Sequence, residues 1–451
     1  MSDRILIIGA GVAGLVTLRN LTERGEYTNV QLVERRDDVG GVWYLDNPEE
    51  KEAKPRWPSP AYPGLIGNVL PEYLSISGFP FPEPPMTPYQ PFPTLVETHE
   101  YLKNFAKPYL ENGKIRLNID VQEVRELPEG QGWKVVIKDW NQDGKVKAEI
   151  YAKVVIAVSW YDNPVWPNTE GLDAVREEDL AVHAKWWRGP TGYEGKRALV
   201  IGNANSSNDM AAHLAPVAES VYRSIRRPAF PGFPSLPDER IKDVAPVVKY
   251  EVDEDNKITA TLKDGTIIPD LDVILVGTGY QAYPSFVRVL ANDFSTRSIM
   301  DPAPDPHRVP GLHRYILYAP NPSLAFTLPM MCFTPFTMAD LQSTWLALAW
   351  RGEVPVPDTV EGRLKFEAER LKAIEEWVSS IDNPSALYVY GVLGTYEQQY
   401  AIDLKADIVK VRPQLENVLP EWSDERTKKR ETMYPVKLQS LYWMKKKGLR
   451  R

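Results

Sequence analysis

Residues 9–14 have the composition and spacing needed to bind a dinucleotide. They read Gly-Ala-Gly-Val-Ala-Gly, the G-x-G-x-x-G pattern, directly after a short apolar run. In such a turn Gly9 bends the chain, Gly11 lets a pyrophosphate reach the backbone, and Gly14 lets helix and strand pack closely. Twenty residues after Gly14 the next apolar run ends in Glu34, an acid that can bind a ribose 2′-hydroxyl. The turn residues assigned to this dinucleotide site are Gly9, Gly11, Val12, Ala13 and Gly14.

Two features between residues 35 and 70 could add to this site. The segment Gly40-Gly41-Val42-Trp43 follows Glu34 closely, and a glycine pair lets a backbone approach a ligand. Trp43 could pack on a ring system or simply close a core, and the sequence leaves both readings open. Asn68 lies in a proline-rich stretch, 55–93, that is predicted to be irregular. By residue type alone, Asn68 is a turn residue.

A second turn of related pattern begins at Gly202. It reads Gly202-Asn203-Ala204-Asn205-Ser206-Ser207, so alanine and serine replace two of the three glycines. The serine at the third position weakens the match. The next predicted strand contains Ser224 and ends in Arg226 and Arg227, with no acid to bind a 2′-hydroxyl. Because arginine pairs well with phosphate, the second turn is predicted to bind NADP(H) rather than NAD(H).

Alternating strands and helices are needed to position these turns. Apolar runs at 5–8, 30–33, 153–158, 197–201 and 272–276 predict buried parallel strands. The sequence therefore predicts an α/β fold, with strand hairpins near 115–151 and 258–275 and helices at 15–24, 95–108, 339–350 and 359–380. The last of these parallel strands runs into Gly277-Thr278-Gly279-Tyr280, which could cross between domains or approach a ligand.

Composition narrows the class of protein. The chain has 451 residues and a formal net charge of −8, which gives no support for nucleic-acid binding. Its single cysteine, Cys332, excludes an intramolecular disulfide and a CxxC redox pair. We find no apolar run long enough to span a bilayer and no metal-binding motif. These features favour a soluble protein of the cytoplasm; a homodimer is left open.

Taken together, the motifs resemble those of the flavin-containing monooxygenases, class B flavoprotein monooxygenases, and in particular their compact soluble fungal forms. The resemblance extends from about residue 4 to about residue 356. It implies two nested Rossmann-like domains: an FAD domain of residues 1–165 and 281–451, and an inserted NADPH domain of residues 166–280. The motifs that carry the resemblance are 9–14, Glu34-Arg35, 40–43, 65–68, Phe79-Pro80-Phe81-Pro82, 202–209 and 277–280.

The resemblance also implies roles for individual residues. Asn68 falls where the family has an asparagine beside the flavin ring, and it is the predicted catalytic residue. The predicted FAD ligands are Gly9, Gly11, Val12, Ala13, Gly14, Glu34, Arg35, Gly41, Val42 and Trp43. The predicted NADPH ligands are Gly202, Asn203, Ala204, Asn205, Ser206 and Ser207, with Ser224, Arg226 and Arg227 at the 2′-phosphate. Thr278 and Gly279 complete the predicted cofactor-binding set.

The activity implied is NADPH-dependent transfer of one oxygen atom from O2 to a small nitrogen or sulfur nucleophile, through a flavin C4a-hydroperoxide. The family's fingerprint between the domains, Phe-x-Gly-x-x-x-His, keeps only His183 here, and Trp187 four residues later is more typical of Baeyer–Villiger enzymes. Ketone oxygenation is therefore one alternative. An uncoupled NADPH oxidase or flavin reductase is a second, and a non-catalytic nucleotide-binding protein is a third.

Overall fold

The computed structural model describes residues 4–45, 56–83, 89–227, 233–291, 293, 295–382, 384 and 388–447. Parts of the predicted irregular stretch 55–93, namely residue 55 and residues 84–88, lie outside the described residues; the rest contains one short helix, α2. The helices are α1 (Val12–Glu23), α2 (Pro71–Leu74), α3 (Leu95–Glu111), α4 (Leu172–Glu177), α5 (Asn205–Leu214), α6 (Pro335–Trp350), α7 (Val360–Ser379), α8 (Glu397–Val411), α9 (Asp424–Glu431) and α10 (Met433–Lys447). The strands are β1 (Ile5–Ile8), β2 (Val30–Val33), β3 (Ile115–Arg116), β4 (Ile119–Glu126), β5 (Trp133–Asp139), β6 (Lys145–Tyr151), β7 (Lys153–Ile156), β8 (Ala181–His183), β9 (Arg197–Ile201), β10 (Ser220–Ser224), β11 (Ile241–Val244), β12 (Val247–Val252), β13 (Ile258–Leu262), β14 (Ile267–Leu271), β15 (Val273–Val276), β16 (Val287–Leu290), β17 (Thr296–Ser298), β18 (Leu312–His313), β19 (Leu317–Tyr318) and β20 (Leu324–Phe326).

Seven strands form what we call the first sheet, in the order β18-β19-β20-β7-β1-β2-β3. Strand β1 pairs in parallel with β2 and β7, so that Ile7 lies opposite Leu32 on one side and Val155 on the other. All four residues of β1 are buried. This burial explains the uninterrupted apolar run, since a strand covered on both faces has no polar side.

Five strands form the second sheet, in the order β11-β10-β9-β15-β8. Strand β9 pairs in parallel with β10 and β15, and Leu199 lies opposite Tyr222 and Ile274. Both glycine-containing turns thus leave a strand that lies between two parallel neighbours, and each turn leads into a helix, α1 or α5. Carboxyl ends of such strands are where α/β proteins bind nucleotides.

The predicted α/β fold with two Rossmann-type units is confirmed. The first sheet takes its strands from residues 5–156 and 312–326, whereas the second takes all of its strands from residues 181–276. Two further sheets, β17-β16-β4-β5-β6 and β12-β13-β14, contain the predicted hairpins. The domain boundaries at residues 165 and 280 remain predictions.

Helix α6 begins earlier than predicted. The sequence pattern placed its start at Ala339, but the helix begins at Pro335. Proline suits the first turn of a helix because its fixed φ is helical and its missing N–H would have no partner there.

A buried ionic cluster joins α6 to α1. Asp340 is fully buried, and its Oδ1 accepts hydrogen bonds from Arg19 at 2.9 Å and Arg24 at 2.8 Å. The backbone N–H of Ser77 donates to Oδ2 at 2.9 Å, and Asn20 donates to Oδ1 at 3.0 Å. Burial opposes ionisation, yet the two guanidinium groups and these donors hold the pKa of Asp340 below its usual value. The cluster therefore joins α1, α6 and the segment that follows α2.

Candidate active site

The first turn has a backbone that only glycine permits. Gly9 has a φ of +103°, in the left-handed region. A Cβ atom on Gly14 would lie 1.8 Å from the carbonyl oxygen of Gly9, so any side chain there would force the turn apart from α1. The residues of the first turn thus form a tight cradle at the carboxyl end of β1.

The Gly40-Gly41 segment lies directly against this turn. Gly40 N–H donates to the carbonyl of Ala10 at 2.9 Å, and a Cβ on Gly41 would lie 2.8 Å from the Cα of Gly11. Glu34 is 6% exposed, and its Oε2 accepts a hydrogen bond from Ala10 N–H at 2.8 Å. The residues predicted to bind FAD are therefore brought together by backbone contacts that need glycine at both loops.

These segments surround a cavity of about 350 Å³, which we call the first cavity. Its walls include the two loops, the end of β2, and residues at the start of α6. The predicted FAD ligands that line it are Gly9, Gly11, Val12, Ala13, Glu34, Arg35, Gly41, Val42 and Trp43. The glycine cradle and its adjoining cavity fit a dinucleotide whose pyrophosphate approaches the amino end of α1.

The second turn is closed by a serine where the pattern would have glycine. Ser207 is fully buried, and its hydroxyl donates to the carbonyl of Gly277 at 3.2 Å. A Cβ on Gly277 would lie 2.4 Å from that hydroxyl oxygen, and one on Gly202 would lie 2.5 Å from it. Glycine at both neighbouring positions thus makes the room that Ser207 occupies.

The predicted 2′-phosphate residues lie beyond this turn, at the end of β10. Arg226 and Arg227 are exposed, and Arg227 donates to the carbonyl of Pro384 at 3.2 Å. Ser224 is buried, and its hydroxyl donates to the carbonyl of Ala245 at 3.1 Å. Of the three predicted residues, the arginines are thus placed where solvent and a ligand can reach them.

A second cavity, of about 810 Å³, extends from the 42–43 segment to the second turn. Asn68 lines it together with Asn205 and Ser206, the first residues of α5. The first and second cavities have four lining residues in common: Val42, Trp43, Pro60 and Tyr161. The structure therefore brings the predicted catalytic asparagine and the second turn to one cavity that adjoins the first.

Several lining residues of the second cavity were not identified from the sequence. Tyr62 donates a hydrogen bond to Asp209 of α5, and its ring packs edge-on against His213 at 5.7 Å. Leu441 and Met444 of α10 also line this cavity. Asp209 could have been noticed from the sequence, because it is an acid in the early part of the helix that follows the glycine pattern. No sequence pattern pointed to α10.

Thr278 and Gly279 both form hydrogen bonds with Val165. The Thr278 hydroxyl donates to the carbonyl of Val165, and the carbonyl of Gly279 accepts from Val165 N–H at 2.9 Å. Among the described residues that line the first and second cavities, neither Thr278 nor Gly279 is found. Their geometry supports the prediction that this segment crosses between the sheets.

His183 and Trp187 line neither the first nor the second cavity. His183 is fully buried and faces the rings of Trp166, Trp186 and Tyr280 at 5.5, 6.2 and 5.2 Å. Burial lowers its pKa to about 4, so the ring is neutral at physiological pH. Trp187 is 1% exposed and packs on Tyr193. Its environment is that of a core tryptophan.

Comparison with known proteins places this geometry in a family. The model of the flavin-binding monooxygenase-like family matches residues 2–230. A thiol-specific monooxygenase of Saccharomyces cerevisiae is 26% identical over 364 residues, which cover 79% of each chain. The S-allyl-L-cysteine S-oxygenase of Allium sativum has a TM-score of 0.71 at 23% identity, covering 95% of this chain and 98% of the other. NADP+-bound cyclohexanone monooxygenase of Rhodococcus sp. Phi1 has a TM-score of 0.61 at 15% identity, covering 90% and 97%.

The chain belongs to the flavin-binding monooxygenase-like family. It is therefore an enzyme, a flavin-dependent oxidoreductase of the monooxygenase type, and the predicted flavin cofactor is confirmed by the family. In the part of the chain that the structure describes, no helix is long and apolar enough to cross a membrane.

Proposed function

We propose that the first cavity holds FAD and the second receives NADPH and substrate. The observation that carries this assignment is that the two glycine-containing turns end at cavities with a shared wall, Val42, Trp43, Pro60 and Tyr161. Residues 9–14, Glu34 and the 41–43 turn would hold FAD. Residues 202–207 would hold the NADPH pyrophosphate at the amino end of α5, with Arg226 and Arg227 at the 2′-phosphate.

The chemistry that bound FAD would supply is the uptake of hydride from NADPH and the activation of O2. The protein contributes orientation and exclusion of water. The Asn68 amide has one oxygen acceptor and two N–H donors. It lines the second cavity, which is also lined by Asn205 and Ser206 of the second turn. We assign to it the donation of a hydrogen bond at the reacting end of the cavity, where a fixed donor stabilises developing negative charge.

The substrate class that we propose is a small nucleophile with a reactive sulfur or nitrogen. Support comes from the names of relatives, a thiol-specific monooxygenase and an S-allyl-L-cysteine S-oxygenase. Baeyer–Villiger oxygenation of ketones is the alternative that the sequence also allows. Trp187, which suggested it, is buried against Tyr193 and lies outside both cavities.

The test is O2-dependent oxidation of NADPH by the FAD-loaded protein with a thioether, a tertiary amine and a cyclic ketone, with product mass measured. We expect a product 16 mass units heavier from the thioether or the amine. An ester from the ketone alone would support the alternative. Consumption of NADPH with hydrogen peroxide as the only product would instead identify an uncoupled oxidase. The cytoplasmic location and a homodimer remain predictions.

A further inference from the structure

Asp162 pairs with a cation from each of the two sheets. Arg35, which follows β2 of the first sheet, donates to both carboxylate oxygens, at 3.0 and 2.9 Å. Lys185, which follows β8 of the second sheet, reaches the same carboxylate with its Nζ at 2.9 Å and the backbone carbonyl of Asp162 at 2.6 Å. One carboxylate thus links the segment that follows β2 of the first sheet to the segment that follows β8 of the second.

The segments that cross between the sheets are also paired. Val165 N–H donates to the carbonyl of Gly279 at 2.9 Å, and Gln281 N–H donates to the carbonyl of Asn163 at 3.0 Å. Pro164 and Tyr280 form an antiparallel bridge. The two crossings therefore form a short ribbon, and Asp162 lies at the end of the ribbon nearest the first sheet.

Lys185, the cation from the second sheet, has a buried and well-defined position. Lys185 is 7% exposed, and its backbone N–H donates to Nδ1 of His183 at 3.1 Å. Arg35 and Asp162 both line the first cavity. Although partial burial opposes it, the two cations hold the pKa of Asp162 well below its usual range, so the carboxylate stays charged. The contact from the second sheet therefore ends on the wall of the first cavity.

We propose that Asp162 and Lys185 are positioning residues that fix the orientation of the second sheet relative to the first cavity. The inference rests on the proposed function, in which NADPH on the second sheet must reach FAD in that cavity. A small error in the placement of two reactants costs a large factor in rate, about a hundredfold per ångström. Loss of the contact should then slow the transfer of hydride without removing either cofactor.

The test compares FAD-loaded full-length Lys185→Met and wild type under anaerobic conditions. We expect the rate of flavin reduction by NADPH to fall about tenfold or more. FAD content and the rate of reduction by dithionite should be unchanged. The change in flavin absorbance on addition of NADP+ should shrink at saturating NADP+, and Lys185→Arg should restore much of both signals.

The matched control is Lys257→Met, which removes an ion pair with Asp272 inside the inserted segment. We expect wild-type reduction and absorbance change from it. Wild-type values in Lys185→Met, or an equal fall in Lys257→Met, would overturn the inference. So would loss of FAD and folding in both Lys185→Met and Lys185→Gln, because the lysine would then be structural. If wild type itself is not reduced by NADPH, the proposed function fails instead.

Discussion

Ser207 and Gly277 meet where a Rossmann turn would have its third glycine, and the serine hydroxyl donates to the Gly277 carbonyl at 3.2 Å. A methyl group on Gly277 would lie 2.4 Å from the hydroxyl oxygen. A glycine at the third position of the turn would leave this space on α5; here Gly277, directly after the neighbouring strand β15, leaves it instead. The second turn is complete even though its sequence pattern is weak.

We therefore expect Gly277→Ala to destabilise the protein by about 1–3 kcal/mol, the usual cost of overpacking. The double variant Ser207→Gly/Gly277→Ala should recover part of this loss, because the clash with the hydroxyl is gone while the helix backbone stays close. Thermal or urea unfolding of the four proteins in the cycle measures the interaction. Strict additivity would show that the two residues do not share this space.

Removing the charge at Asp340 should cost stability near neutral pH. Asp340→Asn leaves the buried Arg19 and the half-buried Arg24 without their anion, and breaking a buried pair typically costs about 3–5 kcal/mol. The folded-state pKa of Asp340 is lowered, so its stabilisation is present above the unfolded-state pKa of about 4. It is lost as pH falls through the folded-state value.

The difference in unfolding free energy between wild type and Asp340→Asn should therefore be constant above about pH 5 and shrink in acid. Urea unfolding at a series of pH values measures it. A difference that does not change with pH would mean that the carboxylate titrates alike in both states.

Reversing the charge at Arg226 should weaken NADPH binding specifically. We expect Arg226→Glu to lose about 1–3 kcal/mol of binding free energy for NADPH, because an added carboxylate repels the 2′-phosphate. Binding of NADH, which has no such phosphate, should change little, and FAD should stay bound. The ratio of KM values for NADPH and NADH checks this. An unchanged ratio would indicate that Arg227, and not Arg226, contacts the 2′-phosphate.

Shortening Asn68 should separate oxygen transfer from NADPH consumption. Asn68→Ala removes the amide from the second cavity, and we expect less oxygenated product and more hydrogen peroxide per NADPH oxidised. Loss of one such donor typically costs about 2.7–4 kcal/mol of transition-state stabilisation. Product and peroxide are quantified against NADPH in the same reaction. If the variant still forms one oxygenated product for each NADPH oxidised, Asn68 does not have the proposed role.

Most of what could be predicted from the sequence came from patterns within short stretches of the chain. The apolar run at β1 and the spacing of the glycines depend on neighbours within a few residues, and the strand, turn and helix are found as expected. The sequence pattern could not show how Ser207 fits into the turn, because the glycine that makes room for it, Gly277, lies 70 residues away. Lys185 and Asp162 form no motif. Helix α10, for which no site was predicted, supplies Leu441 and Met444 to the cavity wall only through tertiary packing.

The arrangement of strands also bears on biosynthesis. The first sheet lacks β20, its strand beside β7, until residue 326 has been made, and Arg19 and Arg24 lack their anion until residue 340. The second sheet has all of its strands by residue 276. Because domains fold as units while the chain emerges from the ribosome, we expect the inserted unit to fold first during translation. Strand β1 would then reach its final packing only after residue 340 has been made.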